Sequence, residues 1–575
     1  MKATDYITQF LYAQGVRQVY ELVGGMITHL IDSIHRDGRI RIVSVHHEQA
    51  AAFAAEADAR VTGIPGVALA TSGPGATNLL TGIGSCYFDS TPAVFITGQV
   101  NRNELKTNRP IRQLGFQETD IVSMAAPITK GVWQVKTPDE LPALLAKAFY
   151  IAQAGRPGPV LLDIPMDVQR MEVTDPVPSQ AVIVNEVPGA PTEDDIAALI
   201  KDIRQAKRPL ILAGGGIRSA RSTTLFRSLV NRLQIPVVNS LMATDALPYE
   251  HPLRVGMIGS YGNRWANLAI GAADLLLVIG SRLDIRQTGS ETSAFKGNRI
   301  IYHVDCESGE INNRVKDCNP ITAHLRPFLR TLNEALEHEL VSTYSDWLNE
   351  INTIRKQWPD TNELINITGI NPNILMHSLS KASKDASMFV VDVGQHQMWA
   401  AQSLELQQQQ QFLTSGGMGA MGFSLPAAIG GACALPDKAV VLIAGDGSFQ
   451  LNIQELETIV RNRLPIKMVI LNNHCHGMVR QFQQSYFEQR YQSTVQGYSA
   501  PDFTRIAAAY GISSRTVKDS DDLDAALTDL WADARSPFLL NILIDTFTNV
   551  YPKIAFGHPM TEMEPFVQPI EMEST

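Results

Sequence analysis

Short apolar runs alternate with amphipathic, helix-length stretches along almost the whole 575-residue chain. That alternation suits strands buried on both faces with a helical crossover after each, so it predicts parallel α/β sheets rather than meanders or bundles. Runs at 40–45 (IRIVSV), 66–72 (GVALATS), 93–98 (AVFITG) and 159–165 (PVLLDIP) make a first block. Runs at 209–216 (PLILAGGG), 236–240 (PVVNS), 274–284 and 299–305 make a second, and 439–444 (AVVLIA) with 466–471 (IKMVIL) belong to a third. The pattern predicts three doubly wound parallel-sheet domains at 1–168, 191–340 and 371–545, with linkers at 169–190 and 341–370 and an irregular tail at 546–575. Blocks one and three match in length and strand content, which predicts two related halves around a different middle. Thr4 is the expected N-cap of a first helix whose inner face carries Tyr6, Ile7, Phe10 and Leu11. LQQQQQF (406–412) reads as a solvated connector.

Charge and composition remove several classes of function. A formal net charge of −10 without a basic stripe argues against nucleic-acid binding. No apolar run approaches the ~18 residues a membrane span needs, and the start MKATDYITQF lacks a signal-peptide core. Five cysteines without metal-ligand spacing suit free thiols in a reducing compartment. A soluble cytoplasmic protein acting on small molecules is the expectation.

In open α/β sheets, ligands sit beyond the carboxyl ends of strands. Val440–Ala444 ends in Gly445-Asp446-Gly447, and Ile466–Leu471 ends in Asn472-Asn473, with 24 residues between the two groups. An Asp carboxylate, an Asn carbonyl, a backbone carbonyl and phosphate oxygens would give Mg²⁺ a hard oxygen shell. The glycines admit a phosphate closely, and a helix starting near Ser448 would turn amides toward it. Either piece alone is a turn or a loop start; two pieces closing two strands are harder to read that way.

This pairing resembles the diphosphate motif of the thiamine-diphosphate (ThDP) enzymes, and the rest of the chain resembles their acetolactate (acetohydroxyacid) synthase branch. The resemblance implies that Asp446, Asn473 and the carbonyl of Cys475 hold Mg²⁺. It implies that Gly445, Gly447, Ser448 and the loop Gly394-Gln395-His396 surround the cofactor. In SGGMGAMGFSLPAAIG (415–430) the Gly419 carbonyl would accept from the aminopyrimidine and Met421 would hold the cofactor bent. Glu48, where a strand meets an Ala-rich helix, would hydrogen-bond the pyrimidine ring in an apolar setting supplied by Ala50–Ala55 around Phe53. FQETD (116–120) and ITKG (128–131) would bring Phe116, Gln117 and Lys130 near the substrate, with Gly25, Met478 and Phe482 lining its pocket. The middle block resembles the synthases' flavin domain: Arg282 and Arg286 would neutralise a diphosphate and Asp305 would accept from a ribose of an FAD with no net redox role. A cofactor-free middle domain, as in ThDP decarboxylases, is the alternative.

The implied reaction decarboxylates pyruvate and joins the two-carbon unit to a second carbonyl compound. The acceptor is pyruvate, another 2-keto acid or a bulkier ketone such as a keto-sugar, since Phe482 stands where the synthases carry Trp. The active site would lie between chains of a homodimer or homotetramer, with a regulatory subunit as a further partner. A pyruvate-oxidase type flavoenzyme, a simple 2-keto acid decarboxylase and an inactive ThDP-fold protein remain alternatives. Gly417, Gly419 and Gly422 also spell G-x-G-x-x-G, the pattern of a nicotinamide dehydrogenase, although the Gln-rich run before it makes a poor buried strand.

Overall fold

A computed structural model describes residues 1–174, 189–337, 343–364 and 367–570. Parts of both expected linkers, 175–188, 341–342 and 365–366, and the tail end 571–575 lie outside the described residues.

Three six-stranded, all-parallel sheets carry the chain. The first comprises β1 (Gln18–Leu22), β2 (Arg41–Ser44), β3 (Gly66–Ala70), β4 (Ala93–Gln99), β5 (Gly131–Gln134) and β6 (Pro159–Pro165), in the order β2-β1-β3-β4-β6-β5. The second comprises β7 (Pro209–Ala213), β8 (Val237–Asn239), β9 (Arg254–Met257), β10 (Leu275–Ile279), β11 (Ile300–Asp305) and β12 (Asn319–Thr322), in the order β12-β11-β10-β7-β8-β9. The third comprises β13 (Met388–Val391), β14 (Gln411–Leu413), β15 (Val440–Gly445), β16 (Ile466–Asn472), β17 (Ser513–Val517) and β18 (Phe538–Leu543), in the order β14-β13-β15-β16-β18-β17. Renumbered within itself, the third sheet repeats the strand order of the first, so blocks one and three share a topology. The second has the order 3-2-1-4-5-6 typical of dinucleotide-binding sheets.

Sheets one and three are joined by two small-residue helices, Glu48–Thr62 and Ser424–Ala434. A Cβ on Gly430 would lie 2.1 Å from the Ala54 carbonyl oxygen, and one on Gly82 would lie 2.2 Å from the Ala52 methyl. Only glycine and alanine permit that approach, and Phe53 fills the remaining space edge-on to Phe423 at 5.4 Å. The alanine run is therefore a helix-packing surface between two sheets.

Four local expectations change. The first helix starts at Ala3 with Thr4 buried inside it, because Ala3 N–H bonds the Met171 carbonyl and Lys2 bridges to Glu172. Gln411–Leu413 is an edge strand of sheet three, and buried Gln410 donates to the carbonyls of Ser383 and Ala386, so the solvated connector shrinks to the exposed turn at Gln408 and Gln409. The tail forms a two-stranded antiparallel ladder, β19 (Lys553–Ile554) with β20 (Met563–Glu564), and packs Ile554, Met560 and Met563 into the core of the second sheet. The helix after the Gly-Asp-Gly turn is only five residues long, Asp446–Gln450, so its dipole is smaller than a full helix would supply. No helix among the described residues is long and apolar enough to cross a membrane.

Candidate active site

The third sheet reverses its order between β13 and β15, and the loops leaving those two strands meet there. From β15 comes Gly445-Asp446-Gly447; from β13 come Asp392 and Gly394-Gln395-His396. A Cβ on Gly445 would lie 2.9 Å from His396 Nδ1, and one on Gly447 would lie 2.8 Å from His476 Cε1 and 3.3 Å from the Tyr498 hydroxyl. At both positions glycine lets His396, His476 and the Tyr498 hydroxyl pack directly against the strand-end backbone.

Asp446 is 1% exposed. Its Oδ2 accepts from the Tyr498 hydroxyl at 2.9 Å, and burial pushes its carboxyl up to about 6. No described cation pairs with it, so a divalent ion would complete its charge. Asn473, on the neighbouring strand end, is held by its own amide: Nδ2 donates to Gln395 Oε1 at 3.1 Å, and Oδ1 accepts from Cys475 N–H at 3.2 Å. Gln395 is anchored in turn by donating to the Thr548 carbonyl, and Gly477 leaves room for it. The residue between, His474, takes a left-handed φ of 52° that turns the chain at the strand end. Burial lifts the Cys475 thiol to about 11, and its Sγ contacts the Thr546 carbonyl, which rules out an activated nucleophile. His396 is buried, driven down to about 3 and thus neutral, and its Nε2 has no partner among the described residues. One buried acid, one amide and an orphaned imidazole nitrogen fit a metal–diphosphate group.

Sequence reasoning missed Asp392. Its carboxylate accepts from Val393 and Gly422 N–H through Oδ1 and from Ser424 N–H through Oδ2, which ties the 415–422 loop to the strand end. The signal was present: an acid closing the apolar run MFVVD, as Asp446 closes its own. Gly419 has φ 65° with open space beside it, and Met421 is half-buried two residues on. The G-x-G-x-x-G pattern lies in this loop, after an edge strand, rather than after a central strand as a nicotinamide site requires.

On the first sheet, Glu48 opens its helix behind His47, whose ring accepts from Gln49 N–H. The buried carboxylate accepts from Asn78 Nδ2 at 2.9 Å through Oε2, and Oε1 lies 3.1 Å from where Gly75 would carry a Cβ. Asn78 and Gly75 belong to the short helix Pro74–Asn78 of the TSGPGATN segment, so that helix orients the acid. Gln117 has a left-handed φ of 65° and packs against Gly73, while the adjacent Phe116 is 80% exposed. Gly25 stands in open space, between Gly24, which packs on Thr71, and Met26, whose N–H donates to Thr71 Oγ1. Lys130 does not join this group: its amine donates to the Ile151 and Ala154 carbonyls, both at 2.5 Å, at the end of the helix Leu141–Gln153. Those contacts make it a helix cap, and they correct the substrate-side role expected for it. Among the described residues, no hydrogen bond joins Glu48 to Asp446 or Asn473 of the same chain.

On the helix Gly477–Tyr486, Met478 packs on the third-sheet core, and Phe482 is 38% exposed. Its ring centroid lies 4.8 Å from Tyr486 and 5.7 Å from Phe487, and Tyr486 meets Phe556 of the tail. The tail thus helps wall this side.

In the second sheet the order reverses between β7 and β10, and a Cβ on Gly214 would lie 2.0 Å from the Gly280 carbonyl oxygen. Asp305 ends β11 with its acid raised by burial, accepting from Glu307 N–H, while His303 Nδ1 has no partner among the described residues. Arg282 has only a loose contact with Asp284 at 3.7 Å, and Arg286 borders Gly259 through its carbonyl. The crevice has the features of a dinucleotide site.

The family profiles described as "Thiamine pyrophosphate enzyme" match all three blocks: the N-terminal TPP binding domain at residues 1–124, the central domain at 196–332 and the C-terminal TPP binding domain at 392–542. Matching relatives span almost the full chain. The acetolactate synthase large subunit of Lactococcus lactis is 36% identical over 97% of this chain and 95% of its own length. The isozyme 2 large subunit of Escherichia coli is 37% identical over 98% and 99%, and the chloroplastic acetolactate synthase 2 of Nicotiana tabacum is 37% identical over 97% and 84%. The chain belongs to the thiamine-diphosphate enzymes, in their acetolactate synthase branch. It is a ThDP-dependent enzyme of the type that transfers a two-carbon unit.

Proposed function

We propose that the enzyme takes its two-carbon unit from pyruvate and joins it to a ketone wider than the small 2-keto acids, such as a keto-sugar. The observation that supports a wide acceptor is Phe482: a half-open ring without an N–H stands on the substrate-side helix, flanked by Tyr486 and Phe487. ThDP supplies an electron sink that stabilises the carbanion left when a 2-keto acid loses CO₂.

The chain's own residues do the rest. Asp446, Asn473 and the Cys475 carbonyl hold Mg²⁺, and Gly445, Gly447, Ser448 and His396 surround the diphosphate. Glu48, oriented by Asn78, holds a proton at the pyrimidine nitrogen. Gln117, its backbone fixed in the left-handed region, and the adjacent Phe116 border the substrate beside Gly25. Met421 and Phe482 exclude water from the reacting carbonyls. Arg282, Arg286 and Asp305 hold FAD in the second-sheet crevice.

Glu48 serves Asp446 and Asn473 of a second chain; this reading is supported by the lack of a hydrogen bond between them within one chain among the described residues and by the exposure of Phe116. The two bacterial relatives are named large subunits, and a smaller regulatory partner extends by analogy to this chain. The test is product analysis with pyruvate, ThDP and Mg²⁺, with and without candidate ketones. A branched adduct formed faster with a keto-sugar than with pyruvate as acceptor supports the reading; acetolactate as the sole product from every mixture refutes it.

A further inference from the structure

A buried charged cluster lies on the far side of the helix that carries Glu48. Glu56 and Arg60 stand one turn apart on Glu48–Thr62 and form an ion pair between Glu56 Oε1 and Arg60 Nη2. The same guanidinium donates to Asp89 Oδ2 at 2.9 Å, to Thr91 Oγ1 at 3.2 Å and, through Nη1, to the Thr414 carbonyl at 2.6 Å. Asp89 then accepts from two backbone amides of the loop, Gly416 N–H at 3.0 Å and Gly417 N–H at 2.6 Å. Ser85 and Ser415 bond through their hydroxyls at 3.3 Å, and Ser415 Oγ accepts from Ala420 N–H. Arg60, Ser85 and Asp89 of the first block therefore grip four consecutive residues, Thr414, Ser415, Gly416 and Gly417, just after the edge strand of the third sheet.

The grip falls on residues that cannot fix themselves. Gly416 and Gly417 have no side chains, and glycine loses more backbone freedom on ordering than any other residue. A Cβ on Gly417 would sit 2.8 Å from the Phe88 Cβ, and one on Gly416 would sit 2.3 Å from Met242 Sδ, so the loop threads a space too narrow for side chains. The charges also need the loop. Two carboxylates face one guanidinium, Glu56 Oε2 has no partner among the described residues, and burial raises the Glu56 carboxyl despite Arg60. The loop amides supply the remaining positive ends that Asp89 requires.

We propose that Arg60, Glu56 and Asp89 are positioning residues that preset the 414–418 loop, so that Gly419 and Met421 stand ready before ThDP arrives. The inference rests on reading 419–421 as the cofactor loop. A preset loop keeps its ordering cost out of cofactor binding, so the clamp acts on ThDP affinity rather than on the fold as a whole.

The test uses the full-length protein freed of cofactor, with variants Arg60→Lys, Asp89→Asn and Met421→Ala. Lysine keeps the charge but cannot reach Asp89, Glu56 and Thr414 at once. Arg60→Lys and Asp89→Asn are expected to raise the ThDP dissociation constant about tenfold, the size of one charge-assisted hydrogen bond. Amide exchange at 416–417 should rise about tenfold or more, with exchange at 440–445 unchanged. Unaltered ThDP affinity in Arg60→Lys, with Met421→Ala weakened, overturns the clamp. Unaltered affinity in Met421→Ala overturns the reading of the loop itself. Faster exchange throughout the third sheet would also overturn the proposal, since the cluster would then be general packing. If Asp89→Asn does not fold, Arg60→Lys decides alone.

Discussion

Replacing Asp446 by asparagine should make the cofactor-free protein more stable while destroying its hold on ThDP. The amide keeps the shape and can still accept from Tyr498, which now meets Oδ2 at 2.9 Å. What disappears is a buried charge. Burial raises the carboxyl from 3.8 to about 6, so ionising it inside the fold at pH 7 costs about 3 kcal/mol, at about 1.4 kcal/mol per unit. The sign follows from proton counts: between the two values the folded state binds more protons than the unfolded one, so stability falls as pH rises through that window. Asp446→Asn therefore gains stability fully above about pH 6, and the gain fades toward pH 4. Thermal unfolding of apo wild type and variant from pH 4 to 8 reads it, as a melting-point gain of about 2 °C or more at pH 7 that is absent at pH 4. Calorimetric titration of ThDP with Mg²⁺ should show a loss of at least about 100-fold, since a charged ligand contact is worth about 3 kcal/mol. A variant less stable than wild type at pH 7, or one binding ThDP with Mg²⁺ normally, would refute the reasoning.

In the wild type, Mg²⁺-dependent ThDP binding should weaken about tenfold per pH unit below about 6, as Asp446 takes up a proton; titration across pH 5–8 checks this. Glu48→Gln should bind ThDP nearly as well as wild type but turn over about 10²–10⁴-fold more slowly, measured as CO₂ release from pyruvate. Phe482→Trp should penalise a keto-sugar acceptor over pyruvate by about 1–3 kcal/mol in kcat/KM, and equal effects on both would leave Phe482 a packing residue. Gly214→Ala places a methyl 2.0 Å from the Gly280 carbonyl oxygen and should abolish flavin absorbance in the purified protein.

The strand ends were legible in the sequence because their signal is local. An acid between glycines closing an apolar run is visible within ten residues, and so is the Asn pair. Asp392 carries the same mark, but its run is only four residues long, so it passed unnoticed. Edge positions were harder. Gln411–Leu413 pairs with β13 on one side only, and hydrophobic periodicity does not register a three-residue strand that opens on a glutamine, beside Gln410, whose amide donates to the distant Ser383 carbonyl. The start of the first helix is set by residues about 170 positions away, through Ala3 and Met171. The tail looked irregular because its apolar residues fill another block's core. Lys130 fails for a related reason: its motif fits the family, while the carbonyls that bind its amine belong to a helix end over twenty residues further on.

The shared site is tested most directly by mixing chains. Glu48→Gln and Asp446→Asn, each nearly inactive alone, are combined in equal amounts under conditions that let subunits exchange, and CO₂ release from pyruvate is followed. Half of the randomly formed dimers would be mixed, each with one intact site of two, so activity should recover to about a quarter of wild type. No recovery despite demonstrated exchange would mean that Glu48 and Asp446 serve the same site from one chain, or serve no common site, and would contradict the account.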